Sequence, residues 1–282
     1  LVLLAYLLAF AAALIVDLAL SAWPVVPRLA LADVVATVVV FGFSVRFRNS
    51  SFYDPYWSVV PLPLALYFAF LAPESAGLTL RSLLVFVLTG AWGARLTWNW
   101  LRRWEGLHHE DWRYSDLQAK TGRWYWLVSF LGIHMFPTAL VFLGCLPLLG
   151  ALSLSAEAFG FIDLFAVSFT AGAIWLEAEA DRQLVEFLGS EPEPGTFLET
   201  GFWAWCRHPN YLGEILFWWG LFFVGWSARP DETWLFAAPL AMTALFVLIS
   251  VPMIDRRMIA RRPEYARRMR SHFGLLPFGK RG

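Results

Sequence analysis

Eight stretches of this chain are apolar over lengths that reach across a bilayer, and few shapes are open to such a chain. They run from about Leu1 to Trp23, Leu29 to Val45, Tyr56 to Leu71, Leu78 to Trp100, Trp124 to Gly150, Phe159 to Ala180, Pro209 to Trp226 and Trp234 to Ile254. A hydrocarbon core about 30 Å thick takes about 20 helical residues to cross, and no water is there to satisfy a backbone amide, so each segment must bond to itself. The expected fold is therefore all-α: a polytopic integral membrane helical bundle of seven or eight transmembrane helices, forming one membrane-embedded domain over residues 1–282. The count is seven if the Leu29 segment is peripheral. A hydrophobic content of 59% fits this reading and exceeds that of an ordinary soluble domain. The first stretch holds Asp17 and lacks a basic start or small-residue cleavage site, so it is expected to be a retained span.

Formal charge is zero, yet the basic residues are unevenly spread. With eight spans, Arg46 and Arg48, the five between Arg102 and Arg123, Arg182 and Arg207, and the nine from Arg256 onward all fall on one side. They make up 18 of the 22 Lys and Arg residues. Cationic loops stay in the cytoplasm, so both termini are expected there, in a bacterial inner membrane. Arg28, Arg81 and Arg229 remain for the other side, and Arg95 lies inside a span. The long polar connections, 102–123, 189–206 and 256–282, share the cytoplasmic face. Chemistry is therefore expected there. The two cysteines, Cys145 and Cys206, are too few for a disulfide framework or a four-ligand zinc site.

A polar side chain inside a span costs several kcal/mol unless paired or wet, so each is a functional candidate. Arg95, Asn99, His134, Glu177 and Glu214 stand out. Glu177 and Asp181 are four residues apart, as are Asn210 and Glu214, and that spacing turns both members of a pair to one helix face. Glu177 and Asp181 could form a buried ion pair with Arg95 or Arg182, or contact the ribose or amide of a nucleotide. In Arg207-His208-Pro209-Asn210-Tyr211-Leu212-Gly213-Glu214 the proline suits a first helical position, which sets Arg207 and His208 at a helix N-terminus that favours phosphate. Snorkelling at a membrane surface is their plainer role. Asp54 precedes Pro55 and reads equally as a helix cap or as an acid. His108-His109-Glu110-Asp111 reads as a solvated loop; with five histidines in the chain no metal site is expected. No G-x-G-x-x-G or G-K-[ST] loop occurs, so any nucleotide would be held by helix ends and arginines. The basic tail from Arg256 to Arg268 suits anionic lipid headgroups or, through bidentate pairs, a 2'-phosphate. Nothing in the sequence points to nucleic acid or to an obligatory protein partner.

Four blocks together resemble the steroid 5α-reductase family, its bacterial members of unassigned function included. They are Asp54-Pro55-Tyr56-Trp57-Ser58-Val59-Val60-Pro61, the Arg95 helix, Glu177-x-x-x-Asp181-x-x-Leu184, and Asn210-Tyr211-Leu212-Gly213-Glu214 with the basic tail and Leu276-Pro277-Phe278. The resemblance covers about Ser51 to Phe278. It implies NADPH-dependent reduction of a C=C bond conjugated to a carbonyl in a lipophilic, steroid-like or other lipid substrate that enters from the membrane. It also implies that Asp54 holds the substrate carbonyl, with Tyr53 and Trp92 beside it in the catalytic set. Trp92 stands where steroid-active members carry tyrosine, three residues before Arg95, and Tyr53 or Tyr211 could take over that hydroxyl. Cofactor contacts are implied for Arg95, Asn99 and Arg103, for Glu177 and Asp181, for Arg207, His208, Asn210, Tyr211 and Glu214, and for Arg257, Arg261 and Tyr265. The Arg-His-Pro-x-Tyr-x-Gly start also resembles the isoprenylcysteine carboxyl methyltransferases, which bind S-adenosylmethionine. Their tails carry paired glutamates where this chain has Asp255-Arg256-Arg257. A lipid-binding scaffold is the third alternative.

Overall fold

The structure is a computed structural model that describes residues 1–72, 79–153 and 158–277. Leu78 and Phe278, used above for a span end and a motif end, lie outside the described residues, as do Lys280 and Arg281. Among the described residues every regular element is a helix. Five helical stretches are long and apolar enough to cross a membrane: Val2–Ala19, Val25–Phe47, Trp112–Ser153, Phe161–Gly189 and Thr233–Arg261. Such lengths and compositions are those of an integral membrane protein.

The chain divides into two compact units, Leu1–Leu64 with Trp92–Leu143, and Ala65–Ala91 with Gly144–Gly282. In the first, α1 (Val2–Ala19) packs along α2 (Val25–Phe47). Asp17 of α1 is not a bare charge, for Arg28 of α2 meets it at 2.7 Å. Arg48 then turns left-handed (φ 52°) and ends α2. Asn49 accepts from the Ser51 amide at 2.8 Å and so starts a short turn, while its own amide donates to the carbonyls of Leu107 and His109. One side chain thereby fixes two loops.

The stretch expected to span as Tyr56–Leu71 is instead two short helices, α3 (Tyr56–Val59) and α4 (Pro61–Phe70). Pro61 starts the second helix because a ring without an N–H suits a first turn and breaks an interior. The following helix, α5 (Leu80–Arg103), carries four arginines, which keep it below the hydropathy of the five spans. A continuous run then winds through α6 (Trp112–Thr121), α7 (Tyr125–Val128), a π-helical stretch at Ser129–Met135 and α8 (Phe136–Ser153). The loop before it is structural as well: Glu110 accepts from the Ser50 amide at 2.6 Å, and Asp111 caps α6 by accepting from Arg113 N at 2.8 Å.

The second unit is built on α9 (Phe161–Gly189) and α10 (Pro209–Ala228). The buried face of α9 reads Ala166, Thr170, Ala173, Glu177, Ala180, small residues at three- and four-residue spacing around one carboxylate. Opposite them α10 presents Gly213 and Gly220. A Cβ at Gly213 would stand 2.6 Å from Glu177 Cβ and 2.8 Å from its amide nitrogen, and one at Gly220 would overlap the Thr170 hydroxyl. Without water inside a bilayer, helices gain from such close backbone packing, not from apolar burial. At the start of α9, Asp163 accepts from Arg81 Nε and Nη2 at 2.7 and 2.9 Å, from Ser227 at 2.7 Å and from the Gly160 amide at 2.8 Å. Arg81, assigned by the charge count to the side opposite the cytoplasm, is thus buried against Asp163. Thr233–Arg261 closes the unit as a 3-10 turn, α11 (Ala237–Leu245), a π-helical stretch and α12 (Val251–Arg261), and α13 (Tyr265–Ser271) follows.

Gly213→Ala is expected to cost roughly 1–3 kcal/mol, as overpacking of a tight contact does, and to lower the melting temperature of the detergent-purified protein. Gly172→Ala on the outer face of α9, where nothing among the described residues lies within 4 Å of the added Cβ, should leave it unchanged. Equal melting of the two variants would refute the seam.

Candidate functional site

The α9–α10 seam ends at a polar cluster. Because Gly213 lets the backbones touch beside Glu177, the residues one turn further on come within reach, and Asn210 Nδ2 donates to Asp181 Oδ1 at 3.2 Å. Glu214, buried on the same face as Asn210, accepts from Trp218 Nε1 at 3.0 Å. Arg182, one of the two counter-ions considered for Glu177 and Asp181, pairs with Glu179 and Glu186 instead. Helix α10 begins at Pro209, as its sequence suggests, and its first turn is closed on itself: Tyr211 N donates to Asn210 Oδ1 at 3.0 Å and Leu212 N to the His208 carbonyl at 3.1 Å. Asp181 is half-buried and remains reachable from outside the packed seam.

Arg207 and His208, expected to face phosphate, are turned inward. Arg207 Nη2 reaches Asp255 Oδ2 at 2.7 Å, and His208 Nε2 lies 2.9 Å from Asp255 Oδ1. The Tyr265 hydroxyl donates to the same Oδ1 at 3.1 Å. Arg207 Nη1 donates to the carbonyls of Met269 and His272, and the amides of Arg207 and His208 donate to the carbonyls of Phe273 and Gly274 at 2.9 and 3.0 Å. A guanidinium that is 7% exposed needs a counter-charge and bonded donors, and Asp255 with the C-terminal segment supplies both. Tyr265, given above to the cofactor, belongs to this lock. Burial, followed by the Asp255 charge, holds its hydroxyl above the usual tyrosine range. Burial likewise lowers the pKa of Arg268, whose Nη2 donates to the Trp203 carbonyl at 2.6 Å and whose Nη1 meets Glu199 at 3.2 Å. Cys206, beside the lock, is pushed up to about 11 by burial and stays a thiol at neutral pH. Arg257 is half-exposed and Arg261 exposed on α12.

The first unit holds the other expected residues. Asp54 is no helix cap: α3 starts at Tyr56 with Pro55 before it. Its carboxylate accepts a short hydrogen bond from the Tyr114 hydroxyl and lies 3.8 Å from Arg113. Burial raises its pKa to about 6, against the lowering pull of the Arg113 guanidinium and of the Tyr114 hydroxyl. Tyr53 donates to or accepts from Thr138 at 2.7 Å and stacks on Tyr56, ring centroids 5.0 Å apart. Trp92 is fully buried on α5, where Gly93 allows the Ser58 carbonyl close in and Thr97 bonds Ser58 Oγ at 3.0 Å. Arg95 and Asn99 lie further along this helix, half-exposed, and exposed Arg103 donates to the Asn99 carbonyl at 3.1 Å. A cleft of about 520 Å³ opens beside Pro55 and Val59, walled by Tyr6, Trp100 and Trp104. Tyr114 and Asp255 were missed in the sequence. Their partners lie 60 and 48 residues away, beyond any local spacing rule.

Comparison with known proteins adds one decisive match. Residues 40–271 fit the family described as "Protein of unknown function (DUF1295)". The chain belongs to this family. The chain is also similar to an uncharacterized protein of Schizosaccharomyces pombe, 27% identical over 231 residues, 74% of this chain and 67% of the relative. No solved structure matches it. The family segment takes in Asp54, the α9–α10 cluster and the Asp255 lock, and leaves out all of α1 and the greater part of α2.

Replacing Asp255 with Ala leaves a buried guanidinium without its counter-charge, which costs about 3–5 kcal/mol. Limited trypsin digestion is expected to cut at Arg267 and Arg270 far faster than in the parent chain. Unchanged cleavage there would show that the lock does not hold the C-terminal segment.

Proposed function

We propose that this protein is an NADPH-dependent reductase of a C=C bond conjugated to a carbonyl in a lipophilic substrate. The observation that carries the reading is the meeting of Asn210 with Asp181 beside the Glu177–Gly213 contact, polar groups gathered at the start of α10 with buried Glu214 on the next turn. The resemblance of the Asp54, Arg95, Glu177 and Asn210 blocks to the steroid 5α-reductases supports it. In this proposal α5 and α10 cross the bilayer along with the five apolar spans, and both termini face the cytoplasm of a bacterial inner membrane.

The chemistry of the donor set suits a dinucleotide in part. Asp181 is a half-buried acceptor for ribose hydroxyls, and Asn210 offers both a donor and an acceptor to an amide. Arg257 and Arg261, on α12 just beyond Asp255, are the cations for a 2'-phosphate, while Arg207 and His208 act indirectly by fixing the helix start. When bound, the nicotinamide supplies the hydride. Asp54 has the role of an acid: neutral, it donates a hydrogen bond to the carbonyl oxygen and stabilises the charge that grows there as the β-carbon is reduced. Tyr114 and Arg113 hold that carboxyl in one orientation.

NADPH titration of the purified chain, monitored by nicotinamide fluorescence, is expected to show binding, with S-adenosylmethionine showing none. Binding of S-adenosylmethionine alone would favour the methyltransferase reading. Asp181→Ala should weaken NADPH about tenfold, about 1.4 kcal/mol, and Asp54→Leu should abolish turnover of a conjugated enone with NADPH affinity unchanged. The carboxyl of Asp54 is neutral below about 6 and charged above it, so turnover should be level at low pH and fall as pH rises through about 6. A rate independent of pH across that range would remove Asp54 as the acid.

A further inference from the structure

Two acids beside the C-terminal arginines are engaged elsewhere. Asp255 turns inward to Arg207, His208 and Tyr265, and Glu199 meets buried Arg268 at 3.2 Å. Between residues 256 and 277 that leaves Glu264 as the one acid among seven arginines. Arg256, Arg262, Arg267 and Arg270 form no ion pair among the described residues. Arg262 is half-exposed and the other three are exposed. Their directions follow from the lock. Val251 and Asp255 are the buried side of α12, Tyr265 and Arg268 that of α13, and the Tyr265 hydroxyl joins the two at Asp255. Arg267 and Arg270, three residues apart on α13, therefore share the side turned away from the unit, and Arg256 stands outside on α12. The apolar side chains of Ile259 and Leu276 are exposed in the same segment.

The last apolar span, Thr233–Arg261, ends in this segment, so its arginines emerge where hydrocarbon gives way to headgroups. Cations at that level are drawn to an anionic leaflet, and a guanidinium pairs with a phosphate through two parallel hydrogen bonds. We propose that Arg256, Arg262, Arg267 and Arg270 form a docking surface for anionic phospholipid of the phosphatidylglycerol kind, and that the bound headgroups hold α13 against the membrane. Ile259 and Leu276 favour a lipid over a soluble polyanion. Exposed apolar side chains beside the cations gain from contact with acyl chains, as on an interfacial helix, and gain nothing from the phosphates of a nucleic acid. None of the four arginines is assigned to the cofactor, and Arg257 and Arg261 keep that place. The surface therefore stands whether or not the reductase reading does.

The full chain, purified in a neutral detergent and equilibrated with equal parts of phosphatidylglycerol and phosphatidylcholine, tests this by native mass spectrometry. Phosphatidylglycerol is expected to make up most of the retained lipid. Arg267→Gln with Arg270→Gln should lower that preference about fivefold for each charge removed, the pull of one arginine at an anionic surface. Arg256→Gln with Arg262→Gln should do the same from α12. In phosphatidylcholine nanodiscs the parent and the α13 variant should melt at the same temperature, since both side chains are exposed, and the parent should gain more from added phosphatidylglycerol. A parent chain that retains the two lipids equally overturns the proposal, as do double variants that keep the parent's preference. Tight binding of a single-stranded RNA probe without any lipid preference would overturn it in favour of a soluble polyanion.

Discussion

At 213 and 220 helix α10 has no Cβ, and the second unit depends on what is missing there. Two helices whose axes close to within backbone contact exchange van der Waals attraction over their whole length, the main gain open to them where no water is released. Glu177 is drawn into this contact and is packed by it, since the Gly213 backbone lies against its own backbone and Cβ. Everything polar at that end follows from the same approach. Asn210 meets Asp181 because three residues later Gly213 has removed the spacer that a larger residue would impose. A cluster of this kind is held by a rigid seam and not by loops, which is what a binding constellation requires.

The second organising feature is Asp255, which binds a cation, an imidazole and a phenol from segments before and after it in sequence. Its effect is to fold the C-terminal segment back on the start of α10 and to withdraw Arg207 and His208 from solvent. The remaining arginines of the tail divide accordingly: Arg268 is structural, Arg256 and Arg261 face outward. Positive charge near a helix start is thus of two kinds in this protein, a buried part that fixes geometry and an exposed part free to meet an anion.

Much of the architecture was legible beforehand because length and hydropathy are local properties. α1, α2, α9, α10 and the last span fall where apolar runs of the right length occur, and Pro209 marks the start of α10. The carboxylate spacing at 177 and 181 and the polar spacing at 210 and 214 also gave the right faces, since helical periodicity dictates them. Elsewhere local rules failed for identifiable reasons. The run from Tyr56 to Leu71 is apolar enough to span, but its prolines divide it. Arg81 counted only as a cation of the side opposite the cytoplasm, whereas Asp163, far along the chain, pairs with it in a buried site. Asp54 matched a cap by spacing, whereas its Oδ1 accepts from the Tyr114 hydroxyl of another helix and not from a backbone amide of α3.

By itself the amino-acid sequence determined which segments leave water and which side of each helix is polar, because the transfer free energy of a residue and the 3.6-residue repeat need no knowledge of the rest of the chain. Which charge meets which was decided only in the folded state. A buried ion seeks whatever counter-charge the packing brings within about 3 Å, and that distance is set by backbone approaches such as those at Gly213 and Gly220, between residues that no spacing in the sequence connects.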